Sequence, residues 1–303
     1  MTVPSPTPVG DEQFVVVIGD ALIDEIHLAG TTTEFVGGAA LNVAVGLAIL
    51  GVRTTLIAMV GDDADGDRIR AFLDDHGVEL IATVGPNGSS RGISDRVDGE
   101  PRYEFNLAAR TRRIRFGSTE RDAIAAASLV VVSCFPFDDA AQSAELVGAV
   151  DGADKRLIVD PNPREGMLTD AQAFCDTFDA VARRSLLVKV GDDDSELLYG
   201  SSLSDLETHL LALGCDTVLG TAGKDGAEIV TSSEVSVRAP IAILPGPVVD
   251  TMGAGDAVLA AITQSILVDG VPVEAESWHQ VLQRAMTIAA ATCRHPGALL
   301  RLP

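Results

Sequence analysis

Seven residues near the C-terminus, Asp250-Thr251-Met252-Gly253-Ala254-Gly255-Asp256, carry the plainest chemistry in this chain. An apolar helical stretch, Ala257 to Val268, follows them directly. Small residues at the mouth of a helix leave backbone N–H groups uncovered, where the helix dipole already favours negative charge. Gly253 and Gly255 have no Cβ, so an anionic group can approach the backbone closely. Asp256 then falls in the first turn, a poor ligand for an anion but a good proton acceptor. An anion hole with a base at its rim is what transfer of a phosphoryl group to a hydroxyl requires. The plainer alternative is a tight turn followed by an aspartate that complements the dipole.

A second glycine-helix junction lies far upstream, at Gly37-Gly38-Ala39-Ala40-Leu41-Asn42, and its apolar stretch runs to Leu50-Gly51. The closing glycine is a helix stop signal. Asn42 stands about one turn in, amid apolar neighbours, where asparagine is unfavourable by propensity and costly if buried without partners. Either it is a core residue bonded to nearby backbone, or it faces a polyhydroxylated ligand together with Gly37 and Gly38.

Taken together, Gly37-Gly38-x-x-x-Asn42 and Asp250-Thr251-x-Gly253-Ala254-Gly255-Asp256 resemble the two signatures of the PfkB (ribokinase-like) carbohydrate kinase family, in the same order. The resemblance runs from about Phe14 to the C-terminus. Gly19-Asp20-x-x-x-Asp24, Val60-Gly61-Asp62-Asp63-x-x-Gly66 and the closing Arg294-His295-Pro296-Gly297-Ala298 agree with it. Asp160-Pro161-Asn162-Pro163-Arg164 resembles a stretch of fructokinases and ketodeoxygluconate kinases. Lys189-Val190-Gly191-Asp192-Asp193-Asp194 and Thr221-Ala222-Gly223-Lys224-Asp225-Gly226 resemble segments at the family's nucleotide site.

The resemblance implies a ribokinase-like three-layer α/β/α domain over residues 14–303, with a mostly parallel central sheet. Residues 22–36 and roughly 80–112 would form a small inserted β-sheet, the lid, which is also expected to mediate a homodimer. Asp256 would be the catalytic base, and the backbone of Gly253, Ala254 and Gly255 would hold the transferring phosphoryl group. Asp24, Gly37, Gly38, Asn42 and Arg164 would bind the sugar, and Lys189, Thr221, Gly223 and Gly226 the nucleotide. ATP and Mg²⁺ are implied, with Asp194 organising the metal through water. Here the chain departs from the family, since Gly191 stands where many members have Asn or Ser, and Asp194 is shorter than their Glu. Asp250 and Thr251 are placed to bind a monovalent cation such as K⁺.

Fructose or a ketodeoxygluconate-like sugar is the expected acceptor. Ribose fits less well: Leu22 replaces an Asn, and Cys134-Phe135-Pro136-Phe137 lacks an acidic sugar ligand. A nucleoside would need an apolar pocket around Phe35, Phe105 and Phe135. A catalytically silent sugar-binding regulator is the alternative of another class, and the intact Gly253–Asp256 segment argues against it.

The elements that must position these residues follow from pattern. Strands are expected at residues 14–18, 54–59, 129–133, 157–160, 186–189, 217–220 and 227–231. Helices are expected at 63–76, 138–150, 170–182, 204–213, 254–268 and 274–292. Strand and helix in alternation predict a parallel sheet covered on both faces, with sites at the carboxyl ends of its strands. Asp20, Asp24, Asp160, Lys189, Thr221 and residues 253–256 all fall at or beyond such ends. Short alternating segments between Asn87-Gly88 and Asp98-Gly99 turns predict the small sheet.

With 303 residues and 47% hydrophobic content, the chain can bury a substantial core. Its formal charge of −22 argues against nucleic acid as a partner and leaves ATP to be drawn by local cations. Asn42 and Gln264 interrupt the two longest apolar runs, so no membrane span is expected. Residues 1–13 carry prolines and no signal-peptide core, and are expected to form a flexible tail. Cys134, Cys175, Cys215 and Cys293 are scattered, which fits reduced thiols in the cytoplasm. No Walker A sequence occurs, and the five histidines have no paired zinc-ligand spacing. Val258 stands where a dinucleotide fingerprint wants Gly or Ala, and Leu197 where a calcium loop needs Gly.

Overall fold

A computed structural model describes residues 13–28, 31–97, 100–153 and 156–303. The expected tail, apart from Gln13, and the Asp98-Gly99 turn lie outside the described residues.

The central sheet grows outward from β1 (Phe14–Gly19), whose Val-Val-Val-Ile run is buried on both faces. Such a run suits the interior of a parallel sheet better than an alternating strand. Its neighbours are β4 (Arg53–Val60) and β8 (Leu129–Ser133), both parallel to it. Beyond β4 lies β5 (Val78–Val84); beyond β8 come β9 (Leu157–Asp160), β10 (Leu187–Gly191) and β11 (Thr217–Thr221), all parallel. Antiparallel β12 (Ala227–Thr231) and β13 (Ser236–Ala239) finish a nine-stranded sheet.

Two apolar cores cover its faces. One gathers α1 (Ala39–Ile49), α2 (Ala64–Asp75), α9 (Ala254–Asp269) and α10 (Ala275–Thr292), including Leu41, Ile69, Leu259 and Trp278. The other gathers α4 (Ser118–Ala126), α5 (Ala140–Ala149), α6 (Ala171–Ala182) and α8 (Leu203–Leu213), including Ile124, Leu146, Phe178 and Leu210. The expected ribokinase-like α/β architecture is therefore present.

A separate four-stranded sheet has the order β3-β2-β6-β7. It pairs β2 (Leu22–Leu28) antiparallel to β3 (Thr31–Gly37), and parallel to β6 (Ser90–Val97), which pairs antiparallel with β7 (Glu100–Phe105). The expected boundary at residue 80 is corrected here. Val78–Val84 is the half-exposed edge of the large sheet, paired with β4. After β7 the chain returns through a short helix, α3 (Leu107–Arg110).

The chain thus crosses between the sheets four times, at Asp20-Ala21, Gly37-Gly38, Gly85–Ser89 and Asn106. The last two crossings are pinned. Asp63 accepts from the Ser89 amide at 2.7 Å and from its hydroxyl at 2.7 Å, and the Asn106 amide donates to the Ser89 carbonyl at 2.9 Å. On one face of the small sheet, Arg91 reaches Asp65 on α2 at 2.5 Å and Glu25 and Glu34 at 2.8 and 2.9 Å. Arg68 on α2 meets Glu34 from below at 2.7 Å.

Candidate functional site

Register brings the candidate residues to one rim. Gly19, Ser133 and Asp160 stand side by side across β1, β8 and β9, as do Gly191 and Thr221 across β10 and β11. The loops that follow therefore open together at the carboxyl end of the sheet.

Helix α9 points its N-terminus at this rim. Its N-cap, Gly253, has φ of 74°, and a Cβ there would stand 2.1 Å from the Ala298 carbonyl oxygen, so glycine is required twice over. The Ala254 amide donates to Thr251 at 3.3 Å. Among the described residues no acceptor meets the N–H groups of Gly255 and Asp256. This open helix mouth lies where the sequence led to the expectation of an anion hole.

Beneath it lies Lys189. A Cβ on Gly255 would sit 3.3 Å from its Cε and 3.5 Å from its Nζ. The ammonium donates to both oxygens of buried Asp160 at 3.1 Å. Burial works against that ammonium, but attraction to Asp160, Asp194 and Asp256 outweighs it and raises the Lys189 pKa. A desolvated, protonated lysine therefore lies under the helix mouth.

Asp256 is buried in the first turn of α9, and the Asn42 amide donates to its Oδ2 at 2.9 Å. That bond links residues 214 positions apart and joins the two glycine-helix junctions. Asn42 is thus not satisfied by local backbone, as the plainer explanation required. Burial raises the Asp256 pKa above the ordinary aspartate value, against the Asn42 bond and the nearby Lys189 and Arg164 charges.

At the first junction, Gly38 has φ of 110° and begins α1. The Ala40 amide donates to Asp20 Oδ1 at 3.0 Å, and the Leu41 amide to the Asp20 carbonyl at 3.2 Å. This helix mouth is already stopped by a protein carboxylate. Asp24 lies alongside: its Oδ2 would be 2.3 Å from a Cβ on Gly37, so only glycine leaves the carboxyl its place. Burial and the Asp20 charge push Asp24 up to about 7, with Arg164 opposing and Asp256 and Asp250 adding to the rise.

Arg164 follows a kink at buried Asn162, whose φ is 38°. Burial lowers its pKa, but Cys134, Asp256, Asp20 and Asp194 more than offset this and raise it. Its guanidinium makes no ion pair with a carboxylate among the described residues. Arg112, which no sequence pattern singled out, comes to the same place. Its Nη groups donate to the carbonyls of Ala109 and Cys134 at 3.1 and 3.2 Å.

The remaining candidates sit around these. Thr221 donates to the Val190 carbonyl at 3.3 Å; Gly223 opens a single helical turn, and Gly226 packs against the Ala239 carbonyl. Asp194 begins α7 (Asp192–Tyr199), where its Oδ2 accepts from the Gly191 amide at 2.7 Å. No trio of His, Cys, Asp or Glu side chains is grouped to hold a metal among the described residues. Asp250 uses one oxygen on the Met252 amide and the other on the Gly297 amide, each at 3.0 Å, tying the closing loop to the anion loop. The apolar pocket around Phe35, Phe105 and Phe135 that would suit a nucleoside base is not formed. Phe135 is fully buried against Phe116 and Phe137, while Phe35 packs on Gly297 and Phe105 on Gly92.

Comparison with known proteins identifies the family and the fold. Residues 12–303 match the model of the pfkB family carbohydrate kinases. The chain is 28% identical to a 2-dehydro-3-deoxygluconokinase of Bacillus subtilis, over 92% of this chain and 86% of that one. It is 28% identical to a fructokinase of Klebsiella pneumoniae, over 95% of each. Its fold is similar to that of an aminoimidazole riboside kinase from Salmonella enterica, with a TM-score of 0.76, 23% identity and 95% of each chain covered.

Proposed function

Because the chain belongs to the pfkB family of carbohydrate kinases, we propose that it transfers the γ-phosphoryl group of Mg-ATP to a hydroxyl of a small carbohydrate, with Asp256 as general base. One observation carries this. Asp256 is a buried carboxylate held by Asn42, at a helix mouth whose Gly255 and Asp256 amides are uncovered and whose Gly255 lies over the side chain of Lys189.

The sugar lies between Asp24, Gly37, Gly38, Asn42 and the small sheet, which acts as a lid that excludes water. Asp256 takes the proton of the accepting hydroxyl as transfer begins, and its raised pKa strengthens it as a base near neutral pH. Asn42 holds the carboxylate at 2.9 Å so that its second oxygen faces the acceptor. The amides of Gly255 and Asp256 and the Lys189 ammonium stabilise charge developing on the phosphoryl oxygens. Thr221, Gly223 and Gly226 bound the nucleotide. Mg²⁺, organised through water by Asp194, would neutralise phosphate charge. Asp250 and Thr251 form the loop at which K⁺ would act.

The acceptor we favour is fructose or a ketodeoxygluconate-like sugar. Burial of Phe135 removes one wall of the pocket a nucleoside base would need. Coupled ADP release over a panel of ketoses, ketodeoxy sugar acids, ribose and adenosine, with Mg²⁺ and with or without K⁺, tests this. Sugar-dependent ADP supports it, whereas sugar binding without ADP indicates a silent regulator. No helix among the described residues is long and apolar enough to cross a membrane, and the four cysteines are free thiols. We place the enzyme in the cytoplasm as a homodimer joined through the lid. A monomeric sedimentation profile at micromolar concentration would refute the dimer.

A further inference from the structure

The two faces of the small sheet are tied to different parts of the molecule. Glu25, Glu34 and Arg91 stand on the face that meets α2, where Arg91 and Arg68 supply the ion pairs. The other face carries one row of residues across all four strands. Phe35 on β3 pairs with Asp24 on β2, Asp24 with Gly92 on β6, and Gly92 with Phe105 on β7. Directly paired residues share a face. The contacts agree, since a Cβ on Gly92 would meet the Phe105 ring at 3.1 Å and Asp24 Oδ1 at 3.4 Å. Asp24, the proposed sugar ligand, therefore has Phe35 as its neighbour on the next strand.

The half-buried Phe35 reaches from the lid to the far end of the chain. A Cβ on Gly297 would lie 3.2 and 3.3 Å from its Cδ1 and Cε1, so the ring rests on bare backbone. Gly297 is buried, with φ of 81°, although His295 and Pro296 before it are exposed.

From Gly297 a short path leads to the α9 mouth. Its amide donates to Asp250 Oδ2 at 3.0 Å, and Asp250 Oδ1 accepts from the Met252 amide at 3.0 Å. The next carbonyl, that of Ala298, is the group that forbids a side chain at Gly253. At the start of the loop, the Cys293 carbonyl accepts from the Val249 and Asp250 amides at 2.8 and 3.2 Å. The closing loop thus has the lid on one side and the anion loop on the other.

One joint in this path differs from the rest. Asp24 and Phe35 are fixed to each other by the β2–β3 ladder, and Gly297 to Asp250 by a hydrogen bond. Phe35 meets Gly297 only through apolar ring carbons, so this contact can open without stranding a buried polar group. A contact that can open, set in a contiguous chain of packed and bonded groups, can couple two sites.

We propose that Phe35 is a positioning residue that latches the lid to the closing loop, so that an acceptor held at Asp24 also sets the loop around Asp250 and Gly253 to receive the nucleotide. This rests on the sugar-kinase function proposed above. Acceptor and nucleotide then bind cooperatively through the Phe35–Gly297 contact.

The test measures ADP release over a grid of Mg-ATP and acceptor concentrations, with fructose or 2-keto-3-deoxygluconate, whichever is turned over faster. In the native chain, saturating acceptor should lower the KM for ATP about fivefold or more, as is usual for coupled sites. Phe35→Ala should bring that factor down to about one, with kcat at saturation of both substrates little changed, and Phe35→Leu should restore part of it. Deuterium exchange at the Gly297 and Ala298 amides, followed without nucleotide, should slow on adding acceptor to the native chain and not to Phe35→Ala. An acceptor effect on the KM for ATP that survives unchanged in Phe35→Ala overturns the latch and leaves the kinase standing, as does a variant that only lowers kcat. No ADP with either acceptor overturns both. Thermal unfolding confirms that each variant folds, and the leucine variant carries the test if the alanine variant does not.

Discussion

The two glycine-helix junctions look alike as sequence and differ as structure. Both offer glycine, small residues and then an apolar helix. At the first, Asp20 occupies the helix mouth: its carboxylate takes the Ala40 amide and its carbonyl the Leu41 amide. At the second, nothing among the described residues reaches the amides of Gly255 and Asp256, and a lysine lies beneath them instead of an aspartate. An anion site therefore needs more than glycine and a dipole. It needs the absence of an internal acceptor, and only tertiary contacts decide that. In the proposed function the stopped junction presents Gly37, Gly38 and Asn42 to a neutral part of the ligand, and the open one receives negative charge.

The largest expected effect falls on the bond joining the junctions. Asp256→Asn should lower kcat by about 10³-fold, within the range for loss of a general base, while sugar binding by thermal shift changes little. In the native enzyme, kcat/KM should fall as pH drops, at a pH above that of an ordinary aspartate, because burial raises the Asp256 pKa. An acid limb that persists unchanged in Asp256→Asn would assign it to another group.

A paired substitution sharpens the contrast. Gly253→Ala forces φ of 74° on an L-residue and drives a methyl into the Ala298 carbonyl; Gly38→Ala forces φ of 110° and meets the Asp20 carbonyl at 2.9 Å. Each should cost about 1–3 kcal/mol of stability. Gly253→Ala should raise KM mainly for ATP and Gly38→Ala mainly for sugar, by about tenfold each, an effect of the same 1–3 kcal/mol size. The reverse pattern would exchange the roles of the two junctions.

The Arg91 cluster is a weaker tie, since its members are only partly buried. Arg91→Ala should raise the sugar KM a few-fold with kcat little changed, and should flatten the dependence of KM on added salt.

Smallest, and silent for turnover, is Glu207, a carboxylate with one unpartnered oxygen on the far face of the sheet. Burial and Glu228 push it up to about 7 from 4.5, with Arg238 opposing. The folded chain then binds this proton more tightly than the unfolded chain, so stability falls as pH rises from 4.5 to about 7 and levels off above. Glu207→Gln should remove that slope, matching the native chain near pH 4.5 and melting a few degrees higher above pH 7.

Much of this was legible in the sequence, because apolar runs and glycine signals are local. The Val-Val-Val-Ile run of β1, the α9 mouth and the hairpin at Thr221–Gly226 each need only neighbouring residues to be read. The misreadings have physical reasons. Val78–Val84 is only half buried because it is a sheet edge, and an edge strand resembles a strand of a one-sided sheet. No helix was expected at Asp192-Asp193-Asp194, although acids in a first turn favour a helix N-terminus, and α7 begins there. Helix α4 is short and begins with polar residues, so no period announced it. Arg112 and the Asp256–Asn42 bond depend on contacts between distant segments. No window along the chain contains them.

The four crossings between the sheets bear on how the molecule moves. Two are pinned through Asp63, Ser89 and Asn106. The other two, at Asp20-Ala21 and Gly37-Gly38, are peptide units that themselves border the proposed sugar site. If the proposed site is right, the points where the lid joins the large domain are also points of contact with the sugar, and Asn42, one turn beyond Gly38, links that contact to the carboxylate of Asp256 through a single hydrogen bond. Grip on the acceptor and alignment of the base would then be coupled over one helical turn.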